Sequence, residues 1–135
     1  MRILIGTLYP NLGGSNRVLL AAARALERDH EVIVRAPFPQ ATHPAPADVS
    51  PEPLAGLPAK LRALPRLAGV TLRELAFARR VRPDVLYVHD DLALYVYGAV
   101  ARLLRRPLVW HVHMTVGKGL TGHVRGAFWR RRIFI

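Results

Sequence analysis

The sequence predicts an α/β sandwich built on an open, mostly parallel sheet, and three observations carry that prediction. Short apolar runs recur along the chain (Ile3-Leu4-Ile5, Val32-Ile33-Val34, Val85-Leu86-Tyr87-Val88, Leu108-Val109-Trp110), with helical stripes between them. Each run is apolar at successive positions, as a strand covered on both faces must be. The first 35 residues already hold a complete strand–loop–helix–strand unit, which closes as a parallel pair with a right-handed crossover. A chain of 135 residues is long enough for one such domain with a buried core.

Taken in order, residues 2–6 form the first strand, and Thr7 to Gly14 is a loop punctuated by Pro10, Asn11, Gly13 and Gly14. Ser15 is expected to cap a helix over Asn16–Arg28, whose stripe is Val18, Leu19, Ala22, Ala23 and Leu26. Glu31–Arg35 is the second strand. Seven prolines between Pro37 and Pro58 exclude a long helix or an interior strand. That stretch reads as an extended surface loop with room for one short edge strand. Leu54–Ala63 can form a short helix, interrupted at Pro65, before a better one over Leu67–Arg80.

Val85–Val88 is the third strand, running into His89-Asp90-Asp91. Asp90 or Asp91 can cap a helix over Leu92–Leu104. Pro107–His113 is the fourth strand, Thr115–Gly122 a glycine-containing loop, and Val124–Ile135 a last helix. The expected architecture is a Rossmann-like three-layer sandwich forming a single domain over residues 1–135. In such sheets ligands bind in the crevice beyond the carboxyl ends of the strands.

The net charge of +11 is unevenly placed, because residues 92–135 carry eight basic residues and no acid. Such a block suits anionic partners: phosphate ligands, a lipid surface or nucleic acid. Eighteen of the 20 basic residues are arginine, so coding bias is a plainer cause. The absence of cysteine removes disulfides, thiolate metal sites and cysteine nucleophiles together. The longest apolar stretches are about ten residues, against the roughly 20 of a spanning helix. The first residues lack the long apolar core of a secretory signal, so a cytoplasmic location is expected.

Three strand ends carry residues with chemistry. Gly13-Gly14-Ser15 opens a helix, where close backbone approach and unpaired N–H donors suit a phosphate or a sugar hydroxyl, with Arg17 adding charge. The same glycines can serve a tight turn. The pattern is neither a dinucleotide fingerprint nor a P-loop. His111 and His113 share one strand face, and with His89 and an aspartate they could imaginably hold a metal. They could equally be ligand-facing or structural histidines. Arg125, Arg130, Arg131 and Arg132 lie among Phe128, Trp129 and Ile133; they are either a solvated helix face or a contact for an anionic membrane. No aromatic-basic reading motif accompanies them, so nucleic acid is not the expected partner.

The chain has no G-x-S-x-G elbow and no H-E-x-x-H helix. Its four glutamates, Glu27, Glu31, Glu52 and Glu74, lie away from the predicted strand ends, so a glycosidase carboxylate pair has no source.

An ordered set of motifs resembles the opening of GT-B glycosyltransferases of family 4 type. The set begins with Leu8-Tyr9-Pro10, then Gly13-Gly14, a helix carrying Ala23-Arg24-Ala25-Leu26, and Asp29-His30-Glu31-Val32. Arg82-Pro83-Asp84-Val85-Leu86-Tyr87-Val88-His89 is similar to the family's Pro-Asp-hydrophobic-hydrophobic-His-x-His strand, with Tyr87 at the first histidine. Pro107 to Met114 is similar to the strand ending in Thr-x-His-Asp, with His111 at the threonine and Met114 at the aspartate. The resemblance covers most of the chain outside 37–58.

The resemblance implies the acceptor-side, N-terminal domain of a retaining enzyme that moves a sugar from a nucleotide sugar to a glycan or lipid. It implies no cofactor and no metal. Gly13 and Gly14 would face the donor phosphates and the transferred sugar, and His113 would approach that sugar. Arg17, His89 and His111 are further candidate substrate contacts. Family chains are more than twice as long, so a donor-binding C-terminal domain is expected to be missing and the fragment inactive alone. The alternative is a non-catalytic module that pairs with a separate donor-binding chain or docks on an anionic membrane. The exposed interdomain face would also suit a dimer.

Overall fold

A computed structural model describes residues 1–10, 13–45, 56–111 and 133–134, with 56–63 and 133–134 described by backbone alone. Six strands form one sheet: β1 (Arg2–Gly6), β2 (Glu31–Ala36), β3 (His43–Pro44), β4 (Val85–Val88), β5 (Leu108–Trp110) and β6 (Ile133–Phe134). Every pairing is parallel, in the order β3-β2-β1-β4-β5-β6. Among the described residues three helices accompany them: α1 (Gly14–Leu26), α2 (Gly56–Val81) and α3 (Asp91–Leu104).

The alternation of side chains along the strands divides the core in two. Ile3, Ile5, Val34 and Ala36 pack with Leu19 and Ala23 of α1 on one face. Leu4, Ile33, Leu86, Val88, Leu108 and Trp110 pack with α2 and α3 on the other. Leu4, Leu86 and Leu94 are fully buried, each worth roughly 1.5–3 kcal/mol of transfer free energy. The expected three layers and parallel sheet are both present.

Four sequence expectations need correction. Helix α1 begins at Gly14, so Gly13 and not Ser15 is its N-cap, and no side chain caps it. Gly13 adopts the extended backbone a cap needs (φ −71°, ψ 178°), which glycine does nearly as well as serine.

Second, the two short helices are one, because α2 runs unbroken through Pro65. Pro65 is exposed, so water can satisfy the carbonyl it releases, and strong helix formers flank it. Third, the proline-rich loop ends before residue 58, because α2 already includes Pro58 in its first turn, where no amide hydrogen is required. The edge strand that the loop was expected to have room for is β3. Fourth, Ile133–Phe134 is a strand on the edge of β5 and not the end of a helix. A β-branched and an aromatic residue favour that pairing.

Buried polar contacts missed in the sequence reading tie the layers together. Arg35 of β2 reaches both oxygens of Glu74 on α2 (3.0 and 3.1 Å), and the Tyr97 hydroxyl of α3 donates to Glu74 Oε2 at 2.8 Å. Glu74 is fully buried, and Arg35 also donates to the carbonyl of Pro44, pinning β3. Tyr97 occupies the space over Gly6, where an added Cβ would come within 2.3 Å of the ring.

Candidate functional site at the switch point

From β1 the chain turns through α1 to β2 on one side, while β4 continues through α3 to β5 on the other. Between β1 and β4 the strand order therefore reverses, and their carboxyl ends diverge into a crevice. The residues leaving β1 are Thr7, Leu8 and Tyr9; those leaving β4 are His89, Asp90 and Asp91.

Asp90 joins the two sides. Its Oδ1 accepts from the Ala93 amide at 2.6 Å and caps α3, as the sequence suggested. Its Oδ2 accepts from the Thr7 hydroxyl at 2.8 Å and from the Leu8 amide at 3.4 Å. Thr7 also approaches Asn16 Oδ1 at 3.5 Å, and the Asn16 amide donates to the Tyr9 carbonyl. Both ends of the β1–α1 loop are thus fastened to the start of α3. Thr7, Asn16 and Asp90 are all buried, and burial pushes the Asp90 carboxyl above its ordinary range despite three hydrogen bonds that oppose the shift. Burial, with the charges of Asp90 and Asp91, also raises the Tyr9 phenol.

The expected site residues fall around this floor. Gly13 and Gly14 are exposed at the start of α1, and a Cβ at either would meet nothing within 4 Å. Neither glycine has a positive φ, so no backbone strain demands one there. Arg17 is exposed in the first turn of α1. His89 is buried at the end of β4.

His111 follows β5, its amide donating to the Val88 carbonyl at 2.8 Å and its Nδ1 lying 2.5 Å from the Tyr87 hydroxyl. His113, Arg125, Arg130, Arg131 and Arg132 lie outside the described residues. Among the described residues no three ligating side chains come together, and His113 of the imagined metal site lies outside them. Asp90 spends its oxygens on Thr7, Leu8 and Ala93. Thr7 and Asn16 gave no sequence signal beyond being polar residues flanking a glycine loop. Among the described residues no helix is long and apolar enough to cross a membrane.

The comparison that decides the family is a match to Glycosyltransferase Family 4 over residues 12–135. The chain belongs to that family. In fold, the chain is similar to the crystal structure of MurG from Acinetobacter baumannii (16% identity, TM-score 0.62), covering 92% of this chain and 38% of that one. It is also similar to Alr3699/HepE from Anabaena, solved with UDP-glucose (19% identity, TM-score 0.63), covering 98% of this chain and 36% of that one. The parallel sheet accordingly matches part of a GT-B glycosyltransferase, and the chain spans little more than a third of either structure. No curated protein matches the chain significantly.

Proposed function

We propose that this family 4 chain is the acceptor-side, N-terminal domain of a retaining glycosyltransferase that moves a sugar from a nucleotide sugar to a glycan or lipid. One observation carries the reading: an open, uncapped helix start at the edge of the switch-point crevice. Gly13 and Gly14 leave the N–H groups of α1 approachable, and its dipole presents a positive end to phosphate or sugar oxygens. The UDP-glucose in the HepE structure supports a nucleotide sugar as the ligand. In this reading Arg17 adds a cation, His89 and His111 flank the strand ends, and His113 approaches the transferred sugar. The domain needs no metal or cofactor of its own, and it works in the cytoplasm.

Transfer also requires groups aimed at the charge that develops on the leaving phosphate. We assign those to a second domain outside these 135 residues. Titrating the isotope-labelled chain with UDP-glucose should shift the amides of Gly13 to Arg17, and Gly14→Val should abolish the shifts. The chain alone should transfer no sugar. Shifts confined to other regions, or transfer by the isolated chain, would overturn the reading.

A second reading, docking on an anionic membrane, is favoured by the outer surface of α2 and α3. Leu64 and Leu72 on α2 and Tyr95 and Leu103 on α3 are 56%, 65%, 43% and 61% exposed, all on one side of the sheet. Arg66, Arg73, Arg79 and Arg80 share α2, while its single acid, Glu74, is fully buried. Exposed leucines among exposed arginines suit a bilayer surface rich in anionic lipid. The two readings are compatible in one enzyme.

A further inference from the structure

Asp90 divides its two oxygens between two tasks. Oδ1 takes the Ala93 amide at 2.6 Å, and that contact alone caps α3. Oδ2 takes the Thr7 hydroxyl at 2.8 Å and the Leu8 amide at 3.4 Å, from residues 83 and 82 positions away in the chain. Capping a helix does not require that second set.

The partners suit a carboxylate. The two amides can only donate, and the one hydrogen of Thr7 goes to Asp90 at 2.8 Å ahead of Asn16 at 3.5 Å. Two ionised oxygens accept all three donors. Thr7 and Asn16 are fully buried and Asp90 nearly so, which leaves water little access as a substitute acceptor.

What Oδ2 holds is the root of the glycine loop. Thr7 leaves β1 with its amide bonded to the Arg35 carbonyl at 3.1 Å, and its hydroxyl accepts from the Tyr9 amide at 3.4 Å. Asn16, in the first turn of α1, lies against the same hydroxyl and donates to the Tyr9 carbonyl. One residue on, the Arg17 amide closes the first turn on the Gly13 carbonyl. Leu19 and Ala23 hold the body of α1 by packing, which is non-directional; the polar contacts orient its first turn.

We propose that Asp90 is a positioning residue: through Oδ2 it sets the place of the β1–α1 loop and the first turn of α1. It thereby governs the affinity of that helix start for a phosphate or sugar oxygen without touching the ligand. The effect on affinity rests on the proposed sugar-transfer reading; the placement of the loop does not.

Asp90→Asn separates the two tasks at constant shape. The asparagine oxygen still caps α3, while its NH2 group meets the Leu8 amide donor against donor. A residue that served only as a cap would tolerate the change. If the freed loop is in place about one-tenth of the time, the apparent Kd rises about tenfold.

The test is ¹H–¹⁵N spectroscopy and amide exchange on the labelled full chain, with UDP-glucose as the probe. Without the probe, Asp90→Asn should shift the Leu8, Tyr9 and Gly13–Arg17 amides and speed exchange at Leu8, while Ala93 keeps its protection. Thr7→Val, which has the shape without the hydroxyl, should disturb the same amides, and Thr7→Ser should restore them. Affinity for UDP-glucose should fall about tenfold in Asp90→Asn and Thr7→Val and be retained in Thr7→Ser. Undisturbed loop amides, lost protection at Ala93, or a disturbed loop with unchanged affinity each overturn the proposal. If the wild-type amides do not respond to UDP-glucose, the sugar-transfer reading falls, and the amides of the free protein alone decide the placement of the loop.

Discussion

Arg35 grips both oxygens of Glu74 across 39 residues of sequence, with the carboxylate fully buried and the arginine side chain 14% exposed. The pair fastens β2 to α2, and the Tyr97 hydroxyl fills a third site on the same carboxylate. Replacing Glu74 by Gln leaves the guanidinium facing an uncharged amide in a buried setting. Breaking one side of such a pair costs about 3–5 kcal/mol. Urea unfolding should show that loss in Glu74→Gln, and a smaller one in the double variant Arg35→Met with Glu74→Leu.

The same substitution should act with opposite sign at two glycines. In Gly6→Ala the new methyl group would lie 2.3 Å from the Tyr97 ring, which is itself held by Glu74. Overpacking of that kind costs about 1–3 kcal/mol. Gly14 is helical with open space around it, so Gly14→Ala should stabilise by about 0.4–1 kcal/mol through the unfolded chain. Denaturation midpoints of the two variants should move in opposite directions.

Asp90 and Asp84 predict opposite pH dependences. Burial raises the folded-state pKa of Asp90, so the native protein binds its proton more readily than the unfolded chain does. Its contribution to stability therefore falls as pH rises from the ordinary carboxylate range through the raised value. Asp84 is lowered, chiefly by the Arg2 amide, so its contribution exists above the ordinary range and is lost as pH falls through the depressed value. Melting temperatures across acidic pH should lose the first component in Asp90→Asn and the second in Asp84→Asn. Asparagine still caps α3, whereas Asp90→Ala should cost a further ~1 kcal/mol or more from the lost cap.

The membrane reading makes a prediction of place. Vesicles of neutral lipid with one-quarter anionic lipid should bind the chain, and Leu72→Ser with Leu103→Ser should weaken binding several-fold at equal charge. Charge reversal at Arg79 should act alike. Reversal at Arg24, on α1 across the sheet, should have a much smaller effect. Equal losses from both faces in a co-sedimentation assay would mean that net charge alone attracts the chain.

Elements whose signals are local could be read from the sequence. The strand Val85–Val88 has the predicted bounds, and Asp90 caps the following helix, because apolar runs and capping oxygens act within a few residues. Pro65 misled because a proline's cost depends on whether its side of the helix meets water, a tertiary property. Ile133–Phe134 misled because edge pairing with β5 decided its state. The site was half legible. Its glycines and strand-end polar residues stood out, but Thr7 and Asn16 acquire meaning only through Asp90.

The bond from Thr7 to Asp90 spans 83 residues of chain, so the crevice floor is assembled from the first strand and the fourth. Nothing made before residue 93 leaves the ribosome can complete it, because Ala93 supplies the amide that orients the carboxylate. The glycine loop is synthesised early and stays unanchored until that distant loop closes. Its local opening should therefore report on the docking of α3, and a protease that cuts between Gly14 and Asn16 should distinguish chains stopped before residue 90 from those carried past it.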